Sequence, residues 1–343
     1  MKALRKTRPE YGAELSDIPQ PQIGPDDVLV KLKATAICGT DIHIYGWNEW
    51  AAQRIKPPMT FGHEFCGEVV QVGERVTHLE VGDLIAGETH IPCGHCFYCQ
   101  TGNQHVCERM KIIGVHTEGV FAEYAAIPAV CGWKLAPGTD PELGAIMEPM
   151  GVATHGLLIA PIDGQSVAIV GCGPIGIFGA QVAAALGANP LFVLEVKSDR
   201  LSMAKRIVPQ AVALNPAEGN AVAAVREATA GRGVDVCVEL SGSVPGTRLA
   251  FDLIRVGGRI SLVGLTGTPV SLNTSDDIIY KEATVIGTTG RLMWETWWQM
   301  DQLLASGRFD PREVITHRFG LEDHAEAFDL ARSGKAGKII LTP

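Results

Sequence analysis

Residues 166–195, SVAIVGCGPIGIFGAQVAAALGANPLFVLE, restrict the possible folds more than any other stretch. The apolar run at 166–170 reads as a buried parallel strand. Gly171, Gly173 and Gly176 follow in the spacing G-x-G-x-x-G. An apolar helical stretch over 175–186 comes next, closed by Gly187, and a second strand at 191–194 carries Glu195 at its tip. The first glycine permits a tight strand-to-helix turn, the second lets a diphosphate approach the backbone, and the third lets helix and strand pack closely. The diphosphate then rests on free N–H groups at the helix N-terminus. Glu195 lies about 20 residues downstream, where an acid accepts both hydroxyls of a ribose. Such glycines also serve ordinary turns, but here strand, glycines, helix, second strand and acid occur in order. The stretch therefore predicts a dinucleotide site. A 2′-phosphate beside the carboxylate would be repelled, so NAD is expected over NADP. Lys197 and Arg200 soften that preference, and Arg200 is expected along the adenosine.

One βαβ unit cannot account for 343 residues, and two domains are expected. A net charge of −9 argues against a general nucleic-acid partner. No apolar run is long enough to span a membrane, and the first residues lack the apolar core of a secretion signal, so a cytoplasmic protein is expected. Of nine cysteines, four crowd into residues 93–107, which in a reducing compartment favours metal over disulfides.

Residues 1–155 are rich in glycine, proline and short β-like runs, at 28–34, 65–72 and 121–127, separated by turn signals. They read as an irregular, mostly antiparallel β domain. Cys93, Cys96, Cys99 and Cys107 in one short loop match a closed tetrahedral Cys₄ zinc site, whose role is structural. His90, His95 and His105 lie nearby, but four thiolates already complete that shell. A second set is dispersed: Cys38 in CGTDIH, His63 and Glu64 in GHE, and Glu148 before Pro149. Three protein ligands with one open position define a catalytic zinc, but ligands so far apart in sequence are not proved by spacing.

These motifs, in this order with the later glycine fingerprint, resemble the zinc-containing medium-chain alcohol dehydrogenase superfamily over essentially the whole chain. The resemblance implies an α/β protein: a GroES-like β-rich catalytic domain with a structural zinc lobe (1–155), a Rossmann doubly wound parallel sheet binding NAD (156–295), and a C-terminal return to the catalytic domain (296–343). The strings CGTDIHIYGWNEW, HIPCGHC, EPMGVATH, GRLMWETW and ITHRF are most similar to the branch that oxidises L-threonine at its secondary alcohol. Polyol and 2,3-butanediol dehydrogenases are the nearest competitors. A zinc- or dinucleotide-binding protein without catalysis is the alternative of another class.

The resemblance also implies roles. Cys38 and His63 hold a catalytic zinc, with Glu64 resembling the residue that ligates it when substrate is absent. Glu148 is either a third ligand or a neighbour that moves protons or holds the substrate ammonium. Thr40 and His43 relay the hydroxyl proton outward. Gly171, Gly173, Ile175, Gly176, Glu195, Arg200, Val263, Gly264, Leu265, Thr288 and Thr289 contact the cofactor. Two zinc ions per chain and a homotetramer are expected. Arg291, and less directly His90, are proposed to meet the substrate carboxylate.

Beyond Glu195, β-like runs at 211–214, 234–240, 259–264 and 283–287 alternate with helical stretches at 198–207, 220–230 and 245–256. That rhythm predicts a six-stranded doubly wound sheet with ligands beyond the C-terminal strand ends. Helices at 297–305 and 321–333 and a last strand at 338–342 complete the reading.

Overall fold

The computed structural model describes residues 1–343. The chain forms two compact units, Met1–Pro149 with Ile315–Pro343, and Met150–Val314. No helix is long and apolar enough to cross a membrane.

The first unit is organised around the ten-residue strand Asp27–Ala36, whose apolar alternation is buried along much of its length. It pairs antiparallel with Glu64–Val72, Tyr124–Pro128 and the C-terminal strand Lys338–Thr342. Leu84–Gly87 and Gly132–Lys134 extend a seven-stranded sheet on one side, and Ile315–Gly320 closes the other. The register sets Ala36 opposite Glu64 on one neighbour and Ile340 on the other. Residues at the starts of two sequence-distant strands are thereby gathered beside Cys38. A smaller sheet contains Glu14–Asp17, Lys2–Lys6 and Met59–Thr60. Phe61, Phe121 and Phe328 pack edge-on or tilted beneath the helix Gly39–Gly46.

The second unit is a parallel sheet of six strands. Its spatial order is Val212–Leu214, Leu191–Leu194, Val167–Val170, Val234–Glu239, Ile254–Leu262, Thr284–Gly287. In sequence order this is 3-2-1-4-5-6, the doubly wound arrangement whose ligand crevice opens at the strand C-termini beside the reversal point. The central strands are continuous apolar runs because both faces are covered.

Two expectations shift. The helix expected over 245–256 is Val244–Leu253, and the next strand starts at Ile254 rather than 259. Gly257, at φ +70, and a register irregularity between Val234 and Val236 let the strand begin early. The return to the first unit starts at Ile315, not at 296, because Glu295–Ala305 belongs with the second unit, burying Trp297 and Met300 there.

Candidate active site and metal centres

The four-cysteine loop closes on itself. Cys93 lies just after the strand His90–Ile91, Cys96 caps the short helix Phe97–Gln100, Cys99 sits inside it, and Cys107 follows the turn Gln104–Val106. The sulfur atoms all lie within 4.8 Å of one another. Cys96 Sγ is 3.5 Å from Cys99 Sγ and 3.8 Å from Cys107 Sγ. A tetrahedron with metal–sulfur bonds of about 2.3 Å places sulfurs about 3.8 Å apart, so the donor set fits zinc. No disulfide competes for these thiols. Backbone N–H groups point at the sulfurs, from Cys93 and Arg109 to Cys107 Sγ at 3.2 and 3.3 Å. Hydrogen bonding from the Cys99 backbone pulls the Cys96 thiol down to about 6, while burial and the neighbouring thiols push Cys99 up to about 12. His95 is turned away, its Nδ1 bonded to Cys93 O and its Nε2 to Arg109.

The dispersed set also converges: ligand atoms of Cys38, His63 and Glu64 lie within 4.8 Å of one another. Cys38 is the N-cap of Gly39–Gly46, and its backbone N–H donates to Asp41 Oδ2 at 2.9 Å. The other Asp41 oxygen lies 3.5 Å from His63 Nδ1. Burial pushes the His63 ring down, but the charges of Asp41 and Cys38 outweigh it and hold the ring well above the ordinary histidine range. Asp41 Oδ1 and His63 Nδ1 are buried facing each other, Glu64 Oε2 faces Lys338, and Glu64 Oε1 is buried with no hydrogen-bond partner. A buried carboxylate oxygen left in this way is costly. A converging Cys, His, carboxylate set with that oxygen open fits a divalent cation such as zinc.

Glu64 is 1 % exposed and forms an ion pair with Lys338, itself 4 % exposed. Burial pushes the Glu64 carboxyl up to about 7, with the Glu148 charge adding to the rise and Lys338 opposing it. Lys338 also donates to Ile37 O at 2.8 Å. Glu148, 6 % exposed on the helix Pro141–Leu158, is thus in the same electrostatic neighbourhood. Asp41 and Lys338 were not foreseen as site residues. A lysine at the head of the apolar run KIILT is the one trace of the second.

Thr40 and His43 stand on Gly39–Gly46 one turn apart, which sets them on one face. Thr40 is half-buried and His43 exposed. His90 pairs its Nδ1 with the buried Glu88 at 2.7 Å.

In the second unit, Gly171 ends Val167–Val170 at φ +96, and a Cβ there would lie 2.7 Å from the Ser241 backbone. Gly173 caps Pro174–Ala185, with only Arg200 Nη1 near its open face, at 4.0 Å from an added Cβ. At Gly176 a Cβ would meet Gly171 O at 1.8 Å. Ile175 lies half-buried between them. Glu195 Oε2 accepts from Cys172 N at 2.9 Å, and Oε1 from Val196 N and Lys197 N at 2.9 and 3.0 Å. These bonds anchor the acid beside the glycine turn. Val263, Gly264 and Leu265 follow the end of Ile254–Leu262, and Thr288 and Thr289 follow Thr284–Gly287, all at strand C-termini. Val263 and Thr288 approach each other across Gly156, whose added Cβ would meet them at 2.8 and 3.7 Å. Leu265 is 93 % exposed. Arg291 is 1 % exposed, with its aliphatic stem against Gly151.

Comparison with known proteins agrees with this geometry. Residues 24–137 match the alcohol dehydrogenase GroES-like domain, and residues 174–306 match the zinc-binding dehydrogenase domain. The L-threonine 3-dehydrogenase of Pyrococcus furiosus is 47% identical over 341 residues, covering 99% of this chain and 98% of its own. That of Bacillus licheniformis is 43% identical, covering 100% and 99%. Among solved structures, 2R,3R-butanediol dehydrogenase from Bacillus subtilis superposes with a TM-score of 0.89 at 29% identity, covering 100% of this chain and 99% of that one. A zinc-binding dehydrogenase of Sinorhizobium meliloti bound to NADP gives a TM-score of 0.90 at 30% identity, with the same coverage. With both domain types in order and full-length relatives at 43% and 47% identity, this chain belongs to the zinc-binding alcohol dehydrogenase family.

Proposed function

We propose that the chain oxidises L-threonine to L-2-amino-3-oxobutanoate with NAD. The alcohol carbon loses hydride to the nicotinamide and the hydroxyl loses a proton, giving a ketone, NADH and H⁺. The observation that carries the chemistry is the convergence of Cys38, His63 and Glu64, with Glu64 Oε1 buried and unpartnered. The substrate follows from the threonine dehydrogenases at 42–47% identity over the full length, against 29% for the butanediol enzyme. When bound, zinc polarises the substrate hydroxyl as a Lewis acid and the dinucleotide takes the hydride.

The chain's own residues do the rest. Asp41 fixes the ring of His63 and the loop at Cys38. Lys338 balances Glu64 when that carboxylate is not needed as a ligand. Thr40 and His43 line the path by which the hydroxyl proton leaves. Glu148 meets the substrate ammonium or assists proton movement, and Arg291 is proposed for the substrate carboxylate. Glu195 holds the adenosine ribose, which favours NAD over NADP. Ile175, Arg200, residues 263–265, Thr288 and Thr289 are the proposed remaining cofactor contacts. A second zinc on Cys93, Cys96, Cys99 and Cys107 is structural. Its thiolates require a reducing compartment, which supports a cytoplasmic location. A homotetramer is proposed, and the exposed apolar side chains Val285, Ile279 and Tyr280 at and before the sheet edge support association.

Competition kinetics tests the substrate. We expect kcat/KM for L-threonine to exceed that for 2,3-butanediol and sorbitol by on the order of a hundredfold, because a site built around a substrate's charged groups rejects analogues lacking them. A diol or polyol turned over faster than threonine would remove the assignment and leave the metal chemistry.

A further inference from the structure

We propose that Asn48 is a positioning residue that fixes the tautomer of His43, presenting its Nε2–H as a hydrogen-bond donor. The inference rests on the reading of His43 as part of the proton path. Asn48 Nδ2 lies 2.8 Å from His43 Nδ1. Oxygen and nitrogen of an amide are assigned from their surroundings, and here the assignment has an independent anchor. Asn48 Oδ1 accepts from Ala51 N at 3.1 Å, capping the helix Glu49–Arg54. The helix start thus requires oxygen on that side, which turns the NH₂ group towards His43. An NH₂ group only donates, so Nδ1 must offer its lone pair. A neutral ring then carries its proton on Nε2, for which the structure gives no protein partner.

The fold holds this contact in place. Asn48 reaches back over His43 because Trp47 ends Gly39–Gly46 in the left-handed region, at φ 50 and ψ 52. A bulky residue is rarely found there. Lys6, fully buried, supports the turn by donating to Tyr45 O at 3.1 Å and to Gly12 O at 2.7 Å, with its ammonium 5.2 Å from the Trp47 ring centroid. The Trp50 ring flanks His43 at 6.1 Å. With Nδ1 engaged by Asn48 and Nε2 protonated, the neutral ring orients the proton path rather than taking up the proton. Its Nε2–H donates to an oxygen, from a hydroxyl or from water, and that oxygen's lone pair receives the proton on its way outward.

Two variants separate this from a structural role. Asn48→Asp keeps a good helix cap but sets a carboxylate oxygen against Nδ1, which must then carry the proton and leave Nε2 bare. Asn48→Ser also caps but is too short to reach the ring. Nitrogen-15 NMR of histidine-labelled enzyme, at a pH of about 8 where an ordinary histidine is neutral, reads the tautomer, with His43 assigned by its loss in His43→Gln. We expect Nε2 protonated in the parent, Nδ1 protonated in Asn48→Asp, and averaged signals in Asn48→Ser. We also expect kcat for L-threonine to fall on the order of tenfold in Asn48→Asp and less in Asn48→Ser. Protonated Nδ1 in the parent, or no inversion in Asn48→Asp, overturns the Asn48 assignment. Inversion with unchanged kcat overturns His43's place in the proton path instead, while leaving threonine oxidation itself standing.

Discussion

Gly176 and Gly179 lie one turn apart on Pro174–Ala185, and the structure gives them opposite tolerances. An alanine Cβ at 176 would sit 1.8 Å from Gly171 O and 2.9 Å from Gly171 C. A normal contact needs about 3.5 Å, so helix and turn must separate by roughly 1.7 Å. Misplacing a binding group by about 1 Å costs on the order of a hundredfold, or about 2.7 kcal/mol, and overpacking adds about 1–3 kcal/mol of instability. At 179 the nearest atoms would be Ala153 Cβ at 3.4 Å and Leu240 Cδ1 at 3.6 Å, an ordinary contact. There alanine gains up to about 1 kcal/mol of helix propensity. The assay is NADH affinity by fluorescence titration, with metal content measured in parallel. Gly176→Ala should bind NADH on the order of a hundredfold more weakly and keep its zinc, while Gly179→Ala should bind like the parent. NADH affinity within about twofold of the parent in Gly176→Ala would refute the close-approach argument.

Cys107→Ser should lose one metal ion per chain and lower the melting temperature, because the lobe's satellite cluster consists of the cysteines themselves with Met110; unchanged metal content by mass spectrometry would count against the Cys₄ site. Lys338→Met strands the buried Glu64 carboxylate and should cost about 3 kcal/mol in denaturant unfolding; a change below about 0.5 kcal/mol would place the pair among inconsequential contacts. Asp235 accepts from Ser166 N at 2.8 Å and Arg255 Nε at 2.6 Å. Burial pushes this carboxyl up, but the hydrogen bonds from Ser166 and Arg255 outweigh it and hold it below the usual range. A depressed folded-state value means the stabilisation is present above the ordinary aspartate pKa and is lost as pH falls through the folded value. Asp235→Asn should therefore flatten the fall of stability below about pH 4, as measured by unfolding at stepped pH.

What the sequence disclosed was local. The glycine fingerprint with Glu195, and the crowded cysteines 93–107, are complete within about 30 residues, so their spacing alone implied turn, helix and shell. Cys38, His63 and Glu64 were recognisable only through resemblance, because strand pairing brings them together. Lys338 was invisible for the same reason: its place beside Glu64 follows from Ala36 pairing with Glu64 on one side and Ile340 on the other. Asp41 read as one letter of a motif until its carboxylate was seen between Cys38 N and His63. The early start of Ile254–Leu262 was hidden because Arg255, Gly257 and Gly258 interrupt the apolar run that marks a strand. Helix Glu295–Ala305 was placed with the wrong unit because its apolar face does not say which core it faces.

Metal-dependent turnover tests the zinc chemistry at Cys38, His63 and Glu64. The enzyme is stripped of metal by chelation, assayed for NADH formation from L-threonine, and assayed again after zinc is restored, alongside His63→Ala. Turnover should vanish on chelation, return with zinc, and not return in His63→Ala. Undiminished threonine oxidation by the metal-free enzyme, or full activity in His63→Ala, would contradict it.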